Sequence, residues 1–339
     1  MKIIIEMKIA ITGANGFVGA ALCRYFHSEG HEILAIGNRE TPNRNLLKVA
    51  GYIKEDITGV MNLIDADVCI HAAALASDTD TYKNLILSNV EGTLNVVEAA
   101  RNCRFFIHIS SSSVYQFKGL PVTEDDASIQ SELSDYGETK LLAEDIVELD
   151  IPEHQKRLIL RPRAIYGVGD RILLPKLLSL VKGNFLLCPF KKETQSSLTH
   201  IDNIGYAIDL YLARKDQKQF QVFNITDEKP YLLWELALEC ASAVKKVNLI
   251  PLGLPAPLVR MFLLLNTKKG VVRNISKPVL QSMENNSVLD ISLIKRELNY
   301  RPTKNFHNSC SEIASWVHSF GTPNSYLKQL IDAPWTITS

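Results

Sequence analysis

The chain has 339 residues and a mass of 37.9 kDa, enough for one large domain or two interleaved ones. Lysine plus arginine and aspartate plus glutamate both number 37, so no overall basic field attracts nucleic acid or an anionic membrane. The six cysteines are widely spaced without a C-x-x-C pair, which argues against a zinc site or a disulfide framework. We therefore expect a cytoplasmic protein without a resident metal.

The first half alternates strand and helix patterns and begins with a glycine loop. Lys8–Thr12 has the length and composition of a strand, and Gly13-Ala-Asn-Gly16-Phe-Val-Gly19 leads from it into an amphipathic helix that Gly30 ends. Glycines at such a turn allow positive φ and a close backbone approach to a pyrophosphate, and the helix N-terminus offers N–H groups to the phosphates. The strand before the loop and the helix after it predict a dinucleotide site.

The end of the second predicted strand favours NADP over NAD. Glu32–Ile36 reads as this strand, and NAD-binding sheets place a carboxylate near its end to hold the ribose 2′-hydroxyl. Here Gly37-Asn38-Arg39 follows, without a carboxylate and with a cation that can pair with a 2′-phosphate. We expect NADP or NAD as the cofactor, with NADP favoured; the alternative is that Arg39 is a solvated surface charge.

The next two predicted strands end in residues that suit a cofactor. A short strand from Tyr52 ends at Asp56 and Ile57, where an adenine can lie. Ala66–His71 is followed by three alanines, and small residues at the carboxyl end of a strand leave room for a dinucleotide. Asn89 then opens another predicted helix.

Hydroxyl groups follow the fifth predicted strand. Phe105–Ile109 ends in four serines, Ser110–Ser113, whose hydroxyls can hydrogen-bond a substrate oxygen. A plain serine-rich turn is the alternative reading. A sixth strand around 158–160 leads to Arg161 and Pro162.

Tyr136 and Lys140 lie four residues apart, which places them on the same helix face. A free tyrosine has a pKa of about 10, so bringing it near neutrality needs roughly 4 kcal/mol at about 1.36 kcal/mol per unit. A nearby ammonium and a positive cofactor ring can supply that by favouring the phenolate. This spacing is common by chance, so the surrounding motifs decide its meaning.

The second half is less periodic. A glycine-punctuated loop over 163–170 precedes an apolar helix over 173–181, and Pro251–Leu265 is unusually apolar. Its unbroken part is too short to span a bilayer, so we expect no transmembrane segment. We expect 251–265 to form a lid helix over the substrate pocket; a peripheral membrane contact or a lipophilic substrate wall is the alternative.

Eight motifs in collinear order resemble the extended short-chain dehydrogenase/reductase family, which includes NAD(P)-dependent epimerases, dehydratases and 3-beta-hydroxysteroid dehydrogenases. They are TGANGFVG, DI, HAAA, NVEGT, ISSSSVY, YGETK, LRPRAIYG and THIDN, over roughly residues 8–320. The resemblance implies an α/β fold, a Rossmann-type doubly wound parallel sheet with a smaller, mostly C-terminal substrate-binding domain. It places the NAD(P)-binding domain at 1–165 with a return segment at about 196–226, and the substrate-binding or lid region at 166–195 and 227–339.

The resemblance also implies a role for each motif residue. Tyr136 would be the general acid/base, and Lys140 would bind the nicotinamide ribose and lower the tyrosine pKa. Counting back from Val114 gives Ser111 as the catalytic hydroxyl, with Ser112 as a substitute or partner. The residues expected at the cofactor are Gly13, Asn15, Gly16, Phe17, Val18, Gly19, Arg39, Asp56, Ile57, Ala72, Ala73, Ala74, Asn89, Tyr136, Lys140 and Pro162.

Two positions bear on the substrate class. Nucleotide-sugar enzymes of the family usually carry an asparagine shortly after the R-P pair and an arginine four residues before the histidine of the "HVxD" segment. Those positions are Ala164 and Ser196 here. LRPRAIYG and the apolar 251–265 segment look instead like the 3-beta-hydroxysteroid dehydrogenase and ketoreductase branch. We therefore expect hydride transfer between the nicotinamide and a hydroxy or keto carbon of a largely apolar small molecule, steroid-like or otherwise.

Two other functions stay open. A nucleotide-sugar 4-epimerase or dehydratase is the alternative, because Arg163 or Lys191-Lys192 could serve a diphosphate. A non-catalytic dinucleotide sensor is a third possibility, although a sensor has no use for a poised base. In related enzymes the helix opened by Asn89 and the helix carrying Tyr136 pair with their copies across a twofold axis, so we expect a homodimer.

Overall fold

The computed structural model describes residues 6–77, 80–129, 132–149, 151–189, 191–253 and 285–336. Most of the predicted lid segment, 254–265, lies outside these ranges.

The strands in chain order are β1 (Lys8–Thr12), β2 (Glu32–Gly37), β3 (Gly51–Lys54), β4 (Val68–His71), β5 (Phe105–Ile109), β6 (Lys156–Pro162), β7 (Ile165–Tyr166), β8 (Val181–Lys182), β9 (Phe185–Cys188), β10 (Gln195–Ser196), β11 (Thr199–His200), β12 (Phe220–Ile225), β13 (Tyr231–Leu232) and β14 (Ile250–Gly253).

The helices follow the same alternation in the first half and dominate the second. They are α1 (Phe17–Ser28), α2 (Tyr82–Leu85), α3 (Gly92–Ala99), α4 (Asp135–Glu148), α5 (Leu173–Ser179), α6 (Ile201–Leu212), α7 (Leu233–Lys245), α8 (Ser292–Leu298), α9 (Phe306–Ser319) and α10 (Pro323–Lys328). None of the helices within the described ranges has the length and apolar character needed to cross a membrane.

Seven parallel strands form the central sheet in the order β12-β6-β5-β4-β1-β2-β3. The chain moves outward from β1 to β3, then crosses back to β4 and continues to the other edge. This reversal between β1 and β4 is the switch point at which doubly wound sheets bind ligands, outside the carboxyl ends of their strands. The predicted fold class is confirmed.

Both faces of the sheet are covered, which explains why its strands are apolar throughout. Side chains alternate along β1, so Ile9 and Ile11 pack in a cluster with α1 and α6, while Ala10 packs on the other face with α3 and α4. A separate apolar cluster joins α5, α7 and α9 in the second half. All six cysteines are buried and free.

The helix predicted to open at Asn89 begins earlier. Thr81 caps it, since its side chain accepts a hydrogen bond from the Asn84 N–H, and α2 continues through a π-helical stretch over Ile86–Glu91 into α3. The third strand is also shorter than predicted: β3 ends at Lys54, and Asp56 lies in the turn after it. The Asp56 carboxylate accepts from the Thr58 N–H at 3.0 Å, a local bond that holds the chain in a turn instead of a strand.

Candidate active site

A cavity of about 750 Å³ opens at the carboxyl ends of the sheet strands. One wall is the glycine loop with the ends of β2 and β4, and the opposite wall is the serine turn after β5 with Tyr136. The segment after β6 closes the cavity from the side of the second half. Its lining includes Gly13, Asn15, Gly16, Phe17, Val18, Gly19, Gly37, Arg39, Asp56, Ile57, Ala72, Ala73, Ala74, Ser110, Ser111, Ser112, Ser113, Tyr136, Pro162, Arg163, Ala164, Arg171 and Lys176.

The glycine loop tolerates no side chain at two of its positions. Gly13 has a φ of +71°, and a Cβ there would lie 2.8 Å from the backbone of Ala73. A Cβ on Gly19 would lie 2.3 Å from the Gly13 carbonyl oxygen. The loop therefore packs directly against the residues that follow β4 and against the start of α1, which leaves its outer side open to the cavity.

The start of α1 offers the donors that a pyrophosphate needs. Gly16 is its N-cap, no side chain caps it, and no acidic residue occupies its first turn. The backbone N–H groups and the positive end of the helix dipole are thus left for an anion. The buried Asn15 Oδ1 also finds no hydrogen-bond partner among the described residues. These features fit a dinucleotide along the loop.

Two arginines stand near this loop. Arg39 lines the cavity, but its guanidinium donates to Asp332 Oδ1 at 3.3 Å and to the Ile331 carbonyl at 3.0 Å. Arg171, which the sequence analysis did not identify, lies 3.8 Å from the position that a Cβ on Gly16 would occupy. Burial, and then the charge of Arg39, lower the pKa of Arg171. The cofactor end of the cavity therefore holds two arginines, and the charge of Arg39 disfavours the charged form of Arg171.

The first turn of α4 packs tightly on the serine turn. Ser134 caps the helix by accepting from the Gly137 N–H at 3.1 Å, and a Cβ on Gly137 would lie 2.1 Å from the Ser113 carbonyl oxygen. Only glycine allows this approach, and both Tyr136 and Ser111 line the cavity. The Ser111 and Ser113 hydroxyls lie 3.1 Å apart.

Lys140 lies one layer beneath the cavity and does not line it. Its Nζ is 3.0 Å from the Ile109 carbonyl oxygen and 3.0 Å from His108 Nε2, and the residue is 1% exposed. Burial lowers the pKa of Lys140 to about 8, partly opposed by the charge of Glu144. An ammonium has three N–H donors, so these two contacts leave one for a ribose hydroxyl.

Asn89 is also buried beneath the cavity. Its Oδ1 accepts from the Leu75 N–H at 2.7 Å, and its Nδ2 donates to Thr139 Oγ1 at 3.1 Å. Thr139 lies between Tyr136 and Lys140 on α4, so Asn89 ties the π-helical stretch to the helix that carries the predicted catalytic pair. We infer a supporting position for Asn89, one layer from the dinucleotide.

A buried ion pair fixes α4 to β6. Arg161 donates to both carboxylate oxygens of Glu144, from Nε at 3.0 and 3.1 Å and from Nη2 at 2.6 Å. Glu144 also accepts from the Ser110 hydroxyl, and Arg161 donates to the Tyr115 hydroxyl at 2.8 Å. One network thus joins the end of β6, the helix with Tyr136 and the serine turn. The sequence analysis did not identify this network.

Arg163 lies only two residues after Arg161, but its environment is different. It lines the cavity, and its Nε donates to Ser196 Oγ at 3.1 Å. Its Nη1 lies 3.4 Å from Ser112 Oγ, and the guanidinium lies over the Phe117 ring, 4.5 Å from the centroid. The Arg163 side chain therefore reaches the position at which nucleotide-sugar enzymes usually carry their own arginine.

The cavity brings together all of the residues predicted for catalysis and cofactor binding except Lys140 and Asn89, which lie beneath it. Their roles remain predictions. The sequence analysis missed Arg171 and Lys176, which line the cavity from the segment after β7. A cation directly after Gly169-Asp170, at the end of a predicted loop, is the only signal for Arg171 that the sequence carries.

Comparison with known proteins identifies the family. Residues 9–226 match the NAD dependent epimerase/dehydratase family. The 2-alkyl-3-oxoalkanoate reductase of Stenotrophomonas maltophilia (strain K279a) is 30% identical over 211 residues, 59% of this chain and 64% of that reductase. The 3-beta-hydroxysteroid dehydrogenase of Mycolicibacterium neoaurum is 25% identical over 321 residues, 87% of each chain.

Among solved structures, UDP-glucuronic acid 4-epimerase from Bacillus cereus in complex with NAD superposes with a TM-score of 0.70 and 22% identity. The superposition covers 93% of this chain and 97% of the epimerase, and it shows the fold alone. The family match covers more than half of the chain, and the predicted extended short-chain dehydrogenase/reductase resemblance is confirmed. The chain belongs to the NAD dependent epimerase/dehydratase family and is an NAD-dependent enzyme.

Proposed function

We propose that this enzyme is a dehydrogenase or reductase that transfers hydride between the nicotinamide and a hydroxy or keto carbon of a largely apolar substrate. One observation carries the proposal: Tyr136 and the serine turn form one end of a cavity whose other end is the glycine loop. When bound, the dinucleotide accepts or supplies the hydride.

The residues at the catalytic end transfer the proton, orient the reacting oxygen and bind the nicotinamide ribose. In the oxidative direction Tyr136 takes the hydroxyl proton as the carbon–oxygen double bond forms, and in the reductive direction it returns that proton. Ser111 hydrogen-bonds the same oxygen and orients it. Lys140 favours the phenolate form of Tyr136 through its positive charge and binds the nicotinamide ribose with its remaining N–H.

Apolar residues in the cavity lining support a lipophilic substrate. Ala164, Ile165, Ile172 and Leu173 line the cavity beside the segment after β6. The reductase and the steroid dehydrogenase that this chain resembles act, by their names, on a 2-alkyl-3-oxoalkanoate and on a 3-beta-hydroxysteroid, both compounds with a reacting oxygen on an apolar skeleton. Burial of such a skeleton contributes about 25 cal/mol per Å².

A nucleotide-sugar 4-epimerase or dehydratase is the second candidate. Arg163 and Ser196 are in contact, so a guanidinium stands where the sequence alone indicated a missing charge. Arg171 and Lys176 add further positive charge to the lining. Calorimetry with UDP-glucose on the cofactor-loaded protein separates the two functions. Micromolar binding together with an epimerised product would favour this second candidate.

The test of the proposed function is Tyr136→Phe. Loss of general acid–base catalysis should lower kcat by roughly 10²–10⁴ while leaving NAD affinity within about twofold. Tyr206→Phe, a change on α6 away from the cavity lining, is the matched control and should keep wild-type turnover. A Tyr136→Phe enzyme with normal kcat on any alcohol or ketone that the wild type converts would refute the assignment.

We also propose a homodimer built on α3 and α4. Apolar side chains on this side of the molecule are exposed: Leu87 is 38% and Leu94 is 54% exposed. Closed twofold symmetry is the commonest oligomeric arrangement, and burying such side chains would be favourable. Sedimentation at micromolar concentration should give twice the 37.9 kDa chain mass, and a 37.9 kDa species would contradict the proposal.

A further inference from the structure

Among the described residues, the Arg163 guanidinium has no counter-ion. Burial lowers the pKa of Arg163 to about 10, and no nearby charge contributes to that shift. Within the part of the chain that the structure describes, no carboxylate forms an ion pair with it. Arg161 provides the contrast, because the bidentate Glu144 carboxylate raises its pKa despite burial. A partly buried cation without a carboxylate is costly unless a ligand supplies the negative charge.

The donors of Arg163 remain largely available to a ligand. A guanidinium has five N–H groups in a planar fork, and the contacts with Ser196 and Ser112 use two of them. Both partners are neutral hydroxyls, and the ring of Phe117 supports one face of the guanidinium. The fork geometry of arginine matches the two oxygens of a carboxylate.

The backbone holds Arg163 in place at the cavity wall. Thr199 Oγ1 accepts from the Arg163 N–H at 3.1 Å and lies 3.0 Å from its carbonyl oxygen. The next residue, Ala164, has a φ of +43°, a left-handed conformation that side-chain-bearing residues rarely adopt. Strained residues of this kind persist where the surroundings determine the backbone, and they cluster at ligand sites.

Arg163 contacts the serine turn. Its Nη1 is 3.4 Å from Ser112 Oγ, and Ser112 adjoins Ser111, the predicted contact of the reacting oxygen. A negative group bound by Arg163 therefore lies on the same side of the cavity as the serine turn.

We propose that Arg163 binds a substrate carboxylate, and that the substrates are lipophilic hydroxy or oxo acids, for which a 3-hydroxy acid and its 3-oxo product serve as the test pair. This inference rests on the proposed function and adds the acidic group to it. Oxidation of the 3-hydroxy acid breaks the C3–H and O–H bonds: the hydride goes to the oxidised dinucleotide, the proton goes to Tyr136, and a 3-oxo acid is the product. The carboxylate takes no part in the bond changes and orients the carbinol carbon.

The kinetic test compares 3-hydroxydecanoate with its methyl ester, which keeps the chain and the hydroxyl but lacks the charge. The wild type should prefer the acid by at least about tenfold in kcat/KM. Arg163→Met should lower kcat/KM for the acid by roughly 30–1,000-fold, the scale of charged hydrogen bonds, and change the ester by less than about threefold. Arg163→Lys should recover part of the preference, and Arg214→Met, a change at the surface pair with Asp216, should keep all of it.

Calorimetry of 3-hydroxydecanoate on the NADH-loaded protein gives a second readout that needs no turnover. Binding that disappears in Arg163→Met without any turnover by the wild type would support the inference and refute the proposed function. Equal use of acid and ester, with both dependent on Tyr136, would refute the inference and keep the proposed function. Absence of acid binding, or UDP-glucose binding that depends on Arg163, would also overturn it. Melting temperatures of all variants show whether each one is folded.

Discussion

The two ends of the cavity are built in different ways. The cofactor end is a contiguous loop, Gly13–Gly19, whose glycines meet the backbone of the residues after β4 and of the loop itself. The substrate end is assembled from groups far apart in sequence: Ser112, Tyr136, Arg163 and Ser196. The first kind of site depends on local backbone geometry, whereas the second depends on contacts that form only when the whole domain folds.

The two ends also differ in how their charges are balanced. At the cofactor end Arg39 already has Asp332 as a partner. At the substrate end, the hydrogen-bond partners of the Arg163 guanidinium among the described residues are hydroxyl groups alone, while Arg161 is neutralised by Glu144. A structural charge is thus separated from a ligand-binding charge by a single residue, so the position in the sequence does not distinguish them, but the counter-ion does.

A substitution that displaces the glycine loop should have the largest effect on cofactor binding. Gly19→Ala puts a Cβ 2.3 Å from the Gly13 carbonyl oxygen, so the loop must move away from the position that holds the pyrophosphate. We expect NAD affinity to fall by about 3 kcal/mol, roughly 150-fold in Kd. Gly51→Ala is the control, because its nearest neighbour is 3.9 Å away. Unchanged NAD titration of the Gly19 variant would show that the loop does not hold the cofactor.

A glycine-to-alanine substitution at the catalytic end should lower kcat instead of weakening cofactor binding. Gly137→Ala places a Cβ 2.1 Å from the Ser113 carbonyl oxygen and must push Tyr136 away from the serine turn. A displacement of about 1 Å can cost roughly 10²-fold in rate, so we expect kcat to fall by about that factor with NAD affinity unchanged. Alanine also favours a helix over glycine by up to about 1 kcal/mol, so a stable but slow enzyme would isolate the geometric effect. A kcat equal to that of the wild type would show that this contact does not position Tyr136.

These glycines show which features of the structure local sequence patterns could predict and which they could not. Lys8–Thr12 and Phe105–Ile109 were predicted to the residue, because a buried parallel strand is a short apolar run and because glycines and serines mark the ends of these two. The glycine loop was predicted for the same local reason. The function of Gly137 was not predicted, since its close approach to Ser113 joins two elements whose distance no local pattern encodes.

Long-range partners explain the remaining differences. That Lys140 binds the ribose stays a prediction, but its contacts with His108 and the Ile109 carbonyl, some 30 residues earlier, were not predicted; they hold its ammonium in the layer below the cavity. Ser196 was interpreted as the loss of an arginine that nucleotide-sugar enzymes usually carry. Arg163, 33 positions earlier, contacts Ser196 and brings a guanidinium to this position. The helix thought to begin at Asn89 begins at Tyr82, since the Thr81 cap outweighs the glycine-containing NVEGT pattern. Each of these outcomes depends on side-chain contacts instead of composition.

Cofactor choice tests the charge balance at the cofactor end. Arg39→Ala should weaken NADP binding by about 1–3 kcal/mol, the scale of a hydrogen bond to a charged group, and leave NAD unchanged. Asp332→Ala should strengthen NADP binding, because it frees the Arg39 guanidinium from its present partner. Fluorescence titration of both cofactors measures this. If neither variant changes the ratio of the NADP and NAD dissociation constants, Arg39 is a surface charge and the NADP preference is wrong.

The smallest expected effect concerns Lys140, which supports the catalytic end from below. Because burial lowers its pKa to about 8, the folded protein releases this proton well before the unfolded chain does, at about 10.4. Between those values the unfolded state binds more protons, so the contribution of Lys140 to stability rises with pH. Below pH 8 both states are charged, and the full cost of burying the ammonium is present.

The measurement is the free energy of unfolding of the wild type and of Lys140→Met between pH 7 and pH 9. Relative to the variant, the wild type should gain about 1.4 kcal/mol over this interval, the value of one pKa unit, since the interval reaches one unit above the folded pKa. Tyrosines, cysteines and the other lysines are common to both proteins, so their titration largely cancels in the difference. A constant difference would mean that Lys140 keeps its charge throughout, held by His108 and the Ile109 carbonyl more strongly than burial disfavours it. In that case the ammonium would act on Tyr136 at every pH at which the enzyme is folded, and kcat should show no fall above pH 8 from loss of the Lys140 proton.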